Sequence, residues 1–364
     1  MELFNATKMT AGYTMGMKPS GREWLVVVVK GTYSIPNHPE QPTQLAAKQS
    51  PLIEVDTFSG VPGFSATVYE SDYAPVKPRC DVLLSGSAYA PRNMAATRVR
   101  VSLSVGPLKK SFDVVGNRVW RKGAVGISWT APEPFTVMPI SYDCAFGGID
   151  SSHADPKRHS AFRQNPAGVG YHVNTAGTAI HGKPLPNTEE QGKPVIDFQG
   201  QYRPMAFGPV GRAWLPRASF AGTYDDKWFA TQFPFLPDDF DERYYQAAPI
   251  DQQMEYPRGG EEVELLNLTP DGQLRFRLPS LDLPVEFIRD GSASVSAAAC
   301  VDTIWLEPDQ NRFSLTWRAS IPLRRNVFEV PRCVIGTMPR GWYRARALGK
   351  TYYPSLRHLV ADRS

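Results

Sequence analysis

The sequence predicts a mainly β protein: antiparallel sandwich-like or barrel-like lobes with long ordered loops rich in proline and glycine, and a few short helices. Short runs of β-branched and aromatic residues, bounded by turn formers, occupy the first and last parts of the chain and are typical of strands. The 364 residues include 29 glycines and 33 prolines, which indicates many turns. With 42% hydrophobic and 11% aromatic residues, the chain is too apolar to be disordered.

The longest β-type run covers residues 24–35 (WLVVVVKGTYSI), and its unbroken apolar character predicts a strand that is buried on both faces. Apolar and polar residues alternate in residues 97–105, so one face of that strand is expected to point into a core. Further runs lie at residues 81–89, 108–115 and 118–120. Gly116 and Asn117, between the last two runs, are typical of a two-residue hairpin turn.

Two hairpins are predicted in the last third of the chain. Residues 263–268 and 274–278 flank TPDGQ, in which proline and glycine suit a tight turn. Residues 302–307 and 312–319 flank PDQN, and their alternation again predicts paired strands. This part of the chain is therefore expected to be antiparallel β structure.

Residues 131–260 show little periodicity and many proline and glycine steps, which is the pattern of loops laid over a scaffold. Short helices are predicted at residues 239–248 and 355–362. The chain thus divides into an N-terminal β region (1–130), a loop-rich and aromatic-rich middle region (131–260) and a C-terminal β region (261–364). We expect the three regions to form one integrated unit.

Composition argues against several classes of protein. The formal net charge of +4 is too small to indicate binding to nucleic acid or to an anionic membrane. The longest strongly apolar run, residues 24–29, is far shorter than the ~20 residues of a membrane helix, and residues 1–23 lack the apolar core of a secretory signal. The cysteines, at positions 80, 144, 300 and 333, form no CxxC pair. We therefore expect a cytoplasmic protein with reduced thiols.

Charge is polarised along the chain. Residues 225–271 carry twelve acidic and three basic side chains, whereas residues 324–364 carry nine basic and two acidic ones. These segments either pair within the fold or are simply solvated, or else they form steering surfaces for a protein partner of opposite charge.

The sequence contains no motif for nucleophilic catalysis, phosphate binding or dinucleotide binding. The four carboxylates in residues 238–242 are typical of an exposed helix N-terminus and not of a glycosidase pair or a calcium loop. His153, Asp155 and His159 are of the types that ligate zinc or iron, so a metal-dependent β-fold hydrolase is an alternative function. Pro156 opposes a helix through them, and the simpler interpretation is a polar surface loop. We expect no catalytic residue, no metal and no cofactor.

Large aromatic side chains are concentrated in residues 214–245 and interleaved with arginines. The rings are Trp214, Phe220, Tyr224, Trp228, Phe229, Phe233, Phe235, Phe240, Tyr244 and Tyr245. They either anchor the loops to the β core, by burying roughly 150–250 Å² each, or line a partner surface, since aromatic residues and arginine dominate binding hot spots.

A series of blocks across the middle region is similar to one bacterial family. In order, the blocks are EPFTVMPISY (133–142), AFGGID (145–150), NPAGVG (165–170), LPN (185–187), FGPVGRAWLPR (207–217), AGTYDDKW (221–228), LPDDFD (236–241), AAPIDQ (247–252) and LLNLTPDG (265–272). Together they resemble the domain-of-unknown-function family numbered two-one-six-nine, which accompanies type VI secretion genes. The resemblance covers most of the chain.

The resemblance implies a non-enzymatic role. Members of this family lie beside genes for the spike protein VgrG, for PAAR tip proteins and for toxic effectors, and are regarded as adaptors or chaperones that load an effector onto the spike. The implied partners are thus a secreted effector and the VgrG and PAAR proteins; a structural part of the secretion machine is a third interpretation. The loops of residues 207–252 are expected to form or brace the partner surface. The first candidates are Trp214, Arg217, Tyr224, Asp225, Trp228 and Tyr244.

Overall fold

The computed structural model describes residues 1–124, 126–289, 293–353, 355, 357 and 360. Its strands are β1 (Glu2–Asn5), β2 (Thr10–Met17), β3 (Glu23–Ser34), β4 (Gln44–Leu45), β5 (Thr57–Phe58), β6 (Thr67–Tyr69), β7 (Cys80–Leu84), β8 (Gly86–Tyr89), β9 (Arg98–Val105), β10 (Leu108–Val115), β11 (Trp120–Gly123), β12 (Gly126–Trp129), β13 (Val137–Ile140), β14 (Phe146–Gly147), β15 (Ile149–Asp150), β16 (Ser160–Ala161), β17 (Val169–Gly170), β18 (Thr188–Glu189), β19 (Gln253–Met254), β20 (Glu262–Leu266), β21 (Gln273–Arg277), β22 (Pro284–Ile288), β23 (Val295–Ala298), β24 (Cys300–Glu307), β25 (Arg312–Pro322) and β26 (Arg332–Ile335).

The helices are α1 (Gly177–Ile180), α2 (Asp226–Thr231) and α3 (Arg340–Ala347). Single 3₁₀ turns form at Pro91–Asn93, Tyr142–Cys144, Pro156–Arg158, Arg217–Phe220, Glu242–Tyr245, Ile250–Gln252, Pro308–Gln310 and Val327–Glu329. Strands dominate and the helices are short, so the predicted mainly β class is confirmed.

A seven-stranded sheet forms the centre of the fold. Its strand order is β19-β7-β24-β25-β3-β2, and β4 pairs with the end of β3. β7 and β24 are parallel, whereas the other neighbouring strands are antiparallel. β3 and β25 pair from Trp24 with Pro322 through Ser34 with Arg312, which makes them the long axis of the sheet.

β3 is buried on both faces, as its sequence predicted. Leu25, Val27 and Val29 belong to the main hydrophobic core, whereas Val26 and Val28 are buried on the opposite face. Successive side chains of a strand point to opposite faces of a sheet, so both faces of the large sheet are covered.

Two further sheets share the main core with the large sheet. One has the order β18-β10-β9-β20-β21 and the other β1-β26-β22-β23. Phe112 of the first, Phe287 of the second and Phe313 of the large sheet are fully buried in this one core. Packing sheets around a common apolar core accounts for the alternating patterns of their strands.

The second face of the large sheet carries buried charged side chains beside Val26 and Val28, and the loop that precedes β7 covers part of it. Lys30 Nζ lies 2.9 Å from Asp72 Oδ2. Arg318 donates to the Asp302 carboxylate and to the backbone carbonyl oxygens of Asp72 and Ala74. The charged side chains of both pairs are at most 9% exposed. Charge-assisted hydrogen bonds, which are stronger than neutral ones, therefore hold this loop in place.

The two hairpins predicted near the C-terminus are confirmed, since β20 pairs with β21 and β24 with β25. The hairpin predicted at Gly116 and Asn117 is wrong. β10 instead pairs with β9 through a turn at Gly106, which has a φ of +52°. Gly116 allows the backbone of Glu133 to approach closely, because a Cβ atom at position 116 would lie 1.8 Å from the Glu133 carbonyl oxygen.

The helix predicted over residues 239–248 is also wrong, because only the 3₁₀ turn Glu242–Tyr245 forms there. Ala247 is instead bound to the large sheet, since its backbone N–H donates to Asp81 Oδ2 of β7 at 2.8 Å. The helix predicted at residues 355–362 lies largely outside the described residues. In the part of the chain that the structure describes, no helix has both the length and the apolar character needed to cross a membrane.

Candidate partner-binding surface

Two of the six predicted partner-binding residues, Trp214 and Arg217, lie inside the protein. Trp214 is 2% exposed and packs in the main core, with its ring centroid 5.6 Å from that of Tyr142. Arg217 binds the buried carboxylate of Glu70 and donates to the Val210 carbonyl oxygen at 2.8 Å. Both side chains therefore anchor their loop and cannot themselves contact a partner.

Tyr244 connects this buried anchor to the surface. Its backbone carbonyl oxygen accepts a hydrogen bond of 2.8 Å from Arg217 Nε. Its half-buried ring lies 5.9 Å from the ring of Phe240. The predicted residue thus braces the surface segment from below.

The remaining predicted residues, Tyr224, Asp225 and Trp228, lie at the start of α2 or just before it, beside a group of exposed rings. We call Tyr224, Trp228, Phe229, Phe233 and Phe235 the aromatic projection. Four of its rings are strongly exposed: Tyr224 by 54%, Phe229 by 67%, Phe233 by 59% and Phe235 by 44%. All of these rings except Phe235 contact one another, with centroid distances of 4.8 Å between Tyr224 and Trp228 and 5.5 Å between Phe229 and Phe233.

Two hydrogen bonds organise the aromatic projection around Trp228. Asp225 Oδ1 accepts from the Trp228 backbone N–H at 2.8 Å, which caps α2. Trp228 Nε1 donates to the Phe235 carbonyl oxygen at 3.0 Å. Asp225 thus has a structural role at the helix start, and the half-buried indole joins the two ends of the segment.

Phe229, Phe233 and Phe235 are absent from the six predicted residues although they are among the most exposed rings. No helix was predicted at α2, so the sequence did not show which rings would be exposed. Trp228 and Phe229 are neighbours in α2 and point about 100° apart. Which of the two is exposed depends on how α2 lies on the scaffold.

Carboxylates form an anionic edge around the aromatic projection. They are Asp225, Asp226, Asp238, Asp239, Asp241 and Glu242, all exposed or half-buried. The backbone N–H and hydroxyl of Thr223 donate to Asp239 at 2.9 Å and 2.7 Å and lower the pKa of that carboxyl. The Arg243 guanidinium lowers the pKa of Asp241 in the same way. Both carboxyls are therefore ionised at neutral pH.

The base of the aromatic projection is tied to the scaffold. The Asp241 backbone N–H donates to the Phe220 carbonyl oxygen at 3.0 Å. The Arg243 guanidinium carbon lies 4.2 Å from the centroid of the Phe220 ring. Lys18, just after β2, pairs with Glu242 at 2.5 Å. The exposed rings thus stand on a base that is fixed from several sides.

The histidine loop does not bring its predicted ligands to one point. His153 Nδ1 accepts from the Asp155 backbone N–H at 3.0 Å, and His159 Nε2 is 2.8 Å from the His153 carbonyl oxygen. Asp155 Oδ1 caps a 3₁₀ turn by accepting from the Lys157 backbone N–H. Across the described residues, no group of three or more His, Cys, Asp or Glu side chains is arranged to hold a metal ion.

Two of the recognisable sequence blocks, AFGGID and NPAGVG, pack directly against each other. β14 pairs with β17 in parallel, joining Phe146 to Val169. The fully buried Asn165 donates from Nδ2 to the carbonyl oxygens of Tyr142 and Phe146, at 2.8 Å and 3.1 Å. A Cβ atom on Gly147 would lie 2.1 Å from the Asn165 carbonyl oxygen. The glycines of these blocks are therefore explained by close backbone approach.

Comparison with known proteins gives one match. A family model described as "Uncharacterized protein conserved in bacteria (DUF2169)" matches residues 20–318. No curated protein and no solved structure matches the chain. Because the matched residues make up most of the 364 and include every sequence block between 133 and 272, the chain belongs to the DUF2169 family of uncharacterized bacterial proteins.

Proposed function

We propose that this chain is a cytoplasmic adaptor or chaperone that binds a type VI secretion effector and helps to load it onto the VgrG and PAAR spike. The aromatic projection is the observation that carries the proposal. Burying a large apolar side chain contributes roughly 1.5–3 kcal/mol, so a cluster of rings held in water is a strong indication of a binding surface. The type VI setting rests on the resemblance of the sequence blocks.

The surface has the composition of a protein interface. Interface hot spots are rich in aromatic residues, and they are surrounded by polar groups that exclude water. Here the rings of Tyr224, Phe229 and Phe233 form the centre, and the carboxylates of Asp225, Asp226 and Asp239 lie around them. The effector is accordingly expected to present an apolar depression bordered by lysine or arginine.

An adaptor has to bind its cargo and later release it. Obligate interfaces are larger and more apolar, whereas an interface with a small apolar centre and a charged rim is suited to reversible binding. The fixed base beneath the rings lowers the conformational entropy lost on binding, which favours affinity without a large contact area.

The test is binding of the protein encoded by the neighbouring effector gene, measured by isothermal titration calorimetry. The double variant Phe229→Ala/Phe233→Ala is expected to bind at least tenfold more weakly, because one hot-spot ring contributes about 2 kcal/mol or more. Its melting temperature should change little, since both rings are mostly exposed.

The matched control is Phe64→Ala/Phe328→Ala, which removes two phenylalanines that are 66% and 81% exposed elsewhere on the surface. It should bind the effector as tightly as the unmodified chain. Equal binding by both double variants would overturn the role of the aromatic projection. Co-purification with the spike when the effector is absent would instead support a structural component of the secretion machine.

A further inference from the structure

A cleft of about 460 Å³ lies beside the base of the aromatic projection, with Phe220 and Arg243 in its wall. This volume is within the range of about 300–1,000 Å³ that is common for ligand sites. Its apolar wall is formed by Val210, Leu215, Pro216, Phe220, Pro249 and Ile250. Of the six predicted partner-binding residues only Arg217 lines this cleft, and the exposed rings of the aromatic projection do not.

Two buried polar side chains face into the cleft. Lys110 Nζ donates to Gln252 Oε1 at 2.7 Å and to Asp251 Oδ1 at 3.2 Å, and a lysine ammonium has a third proton to donate. The hydroxyl of Tyr142 has no hydrogen-bond partner among the described residues, although the residue is only 4% exposed. Because Tyr142 lines the open cleft, the proton of its hydroxyl is available to an acceptor that enters the cleft.

The floor of the cleft carries excess positive charge. Asp251 is the one carboxylate in the described lining, and it is shared by Lys110 and Arg203, whose Nη2 lies 2.6 Å from Asp251 Oδ2. Arg203 also approaches Glu190 at 3.5 Å, but Lys193 pairs with that carboxylate at 2.9 Å. At the floor of the cleft, Lys110 and Arg203 thus share the single carboxylate of Asp251, which favours a ligand with one negative charge.

We infer that this cleft binds the C-terminal carboxylate of a polypeptide whose last residues are apolar. The carboxylate would accept hydrogen bonds from Lys110 and Tyr142, and the terminal side chains would pack on Leu215 and Phe220. At the rim, Gln164 has an exposed amide without a partner among the described residues, and it is suited to a backbone peptide group. The inference rests on the proposed function in one respect, which is that the ligand is a polypeptide.

The test uses two probes, N-acetyl-Ala-Leu-Phe with a free carboxylate and the same tripeptide with a C-terminal amide. Calorimetric titration of the full chain at pH 7 should give binding of the acid and at least tenfold weaker binding of the amide. A third probe, 4-phenylbutyrate, carries the carboxylate and a ring without peptide groups, and it should bind more weakly than the peptide acid. Absence of binding by the acid at millimolar concentration, or equal binding of acid and amide, would overturn the inference. Equal affinity for 4-phenylbutyrate and the peptide acid would overturn its polypeptide part.

Two variants locate the binding site. Tyr142→Phe removes only an unpartnered hydroxyl, so it should fold normally and weaken binding of the acid about five- to tenfold. Arg203→Gln removes one cation at the surface and should weaken it several-fold. Arg121→Gln, at an exposed arginine of β11, should leave it unchanged. Unchanged acid binding in Tyr142→Phe and Arg203→Gln would place the peptide elsewhere. Because these assays contain no effector, a negative result in them would not contradict the effector surface at the aromatic projection. A negative result in the effector assay would likewise not contradict peptide binding in the cleft.

Discussion

Arg217 donates hydrogen bonds to both carboxylate oxygens of Glu70, and each of the two side chains is only 4% exposed. The pair joins the middle loops to the N-terminal region, because Glu70 follows β6 and Arg217 begins a 3₁₀ turn in the middle of the chain. Arg212 also reaches Glu70, at 2.7 Å. The loops beneath the aromatic projection are thus fastened by a buried ionic cluster.

Arg217→Met should lower the free energy of unfolding by about 3–5 kcal/mol, because it leaves the Glu70 charge buried with one partner fewer. Urea unfolding measures the loss. The control is Arg243→Met, which breaks an exposed pair with Asp241 and should cost much less. Similar losses in both variants would show that Arg217 is not a buried anchor.

Substitution of Trp214 is expected to lower the stability of the protein, whereas substitution of Phe229 is expected to weaken effector binding. Trp214→Ala removes a core ring and should destabilise the protein by about 3–5 kcal/mol. Phe229→Ala should change stability by less than about 1 kcal/mol, since the ring is 67% exposed, but should weaken effector binding. Thermal unfolding and calorimetry on the same samples test this, and a large stability loss in Phe229→Ala would contradict the assignment.

Asp150 should contribute stability that is lost in acid. Burial alone would raise its pKa, but hydrogen bonds from Ser152 and from the backbone N–H groups of Asn174 and Val173 hold the pKa well below its usual range. A carboxyl with a lowered pKa stabilises the folded state above its ordinary pKa of about 3.9, and this contribution disappears as the pH falls through the folded-state value.

Asp150→Asn should therefore be roughly 1–3 kcal/mol less stable at pH 7, with a difference that shrinks below about pH 4. Melting temperatures between pH 3 and pH 7 measure the effect. Asp155→Asn is the matched control, since this exposed carboxylate makes only a local cap to Lys157. A difference that stayed constant with pH would mean that ionisation of Asp150 is not responsible.

Lys110 should show the opposite dependence on pH. Burial lowers its pKa to about 8, although Asp251 acts in the other direction. Between this value and the ordinary value of about 10.4 the unfolded chain binds more protons than the folded one, so stability from this group rises with pH. Relative to Lys110→Met, the unmodified chain should gain up to about 3 kcal/mol between pH 8 and pH 10.5 in urea unfolding. A constant difference over this range would contradict the lowered pKa.

Local pattern was sufficient for the longest strands, whereas the strands of the sheet β1-β26-β22-β23 were not predicted. The valine run of β3 and the turns joining β20 to β21 and β24 to β25 appear where residue types and spacing place them. Gly116 shows where that reasoning fails. Gly116 and Asn117 suit a hairpin turn, but the lack of a side chain at Gly116 instead allows the backbone of Glu133 to approach closely. The two residues are 17 positions apart, and nothing in the sequence marks the contact.

By itself the sequence determined the fold class, the membership of a bacterial family and the concentration of rings in residues 214–245, because these depend on composition, alternation and the order of blocks. Only the tertiary structure decided that Trp214 is a core residue and Phe229 a surface one, and that Lys110 and Tyr142 share a cleft. The physical reason is that the exposure of a side chain and the charges around it are set by contacts between residues far apart in the chain. Aromatic side chains of one loop region can therefore lie in water or in the core.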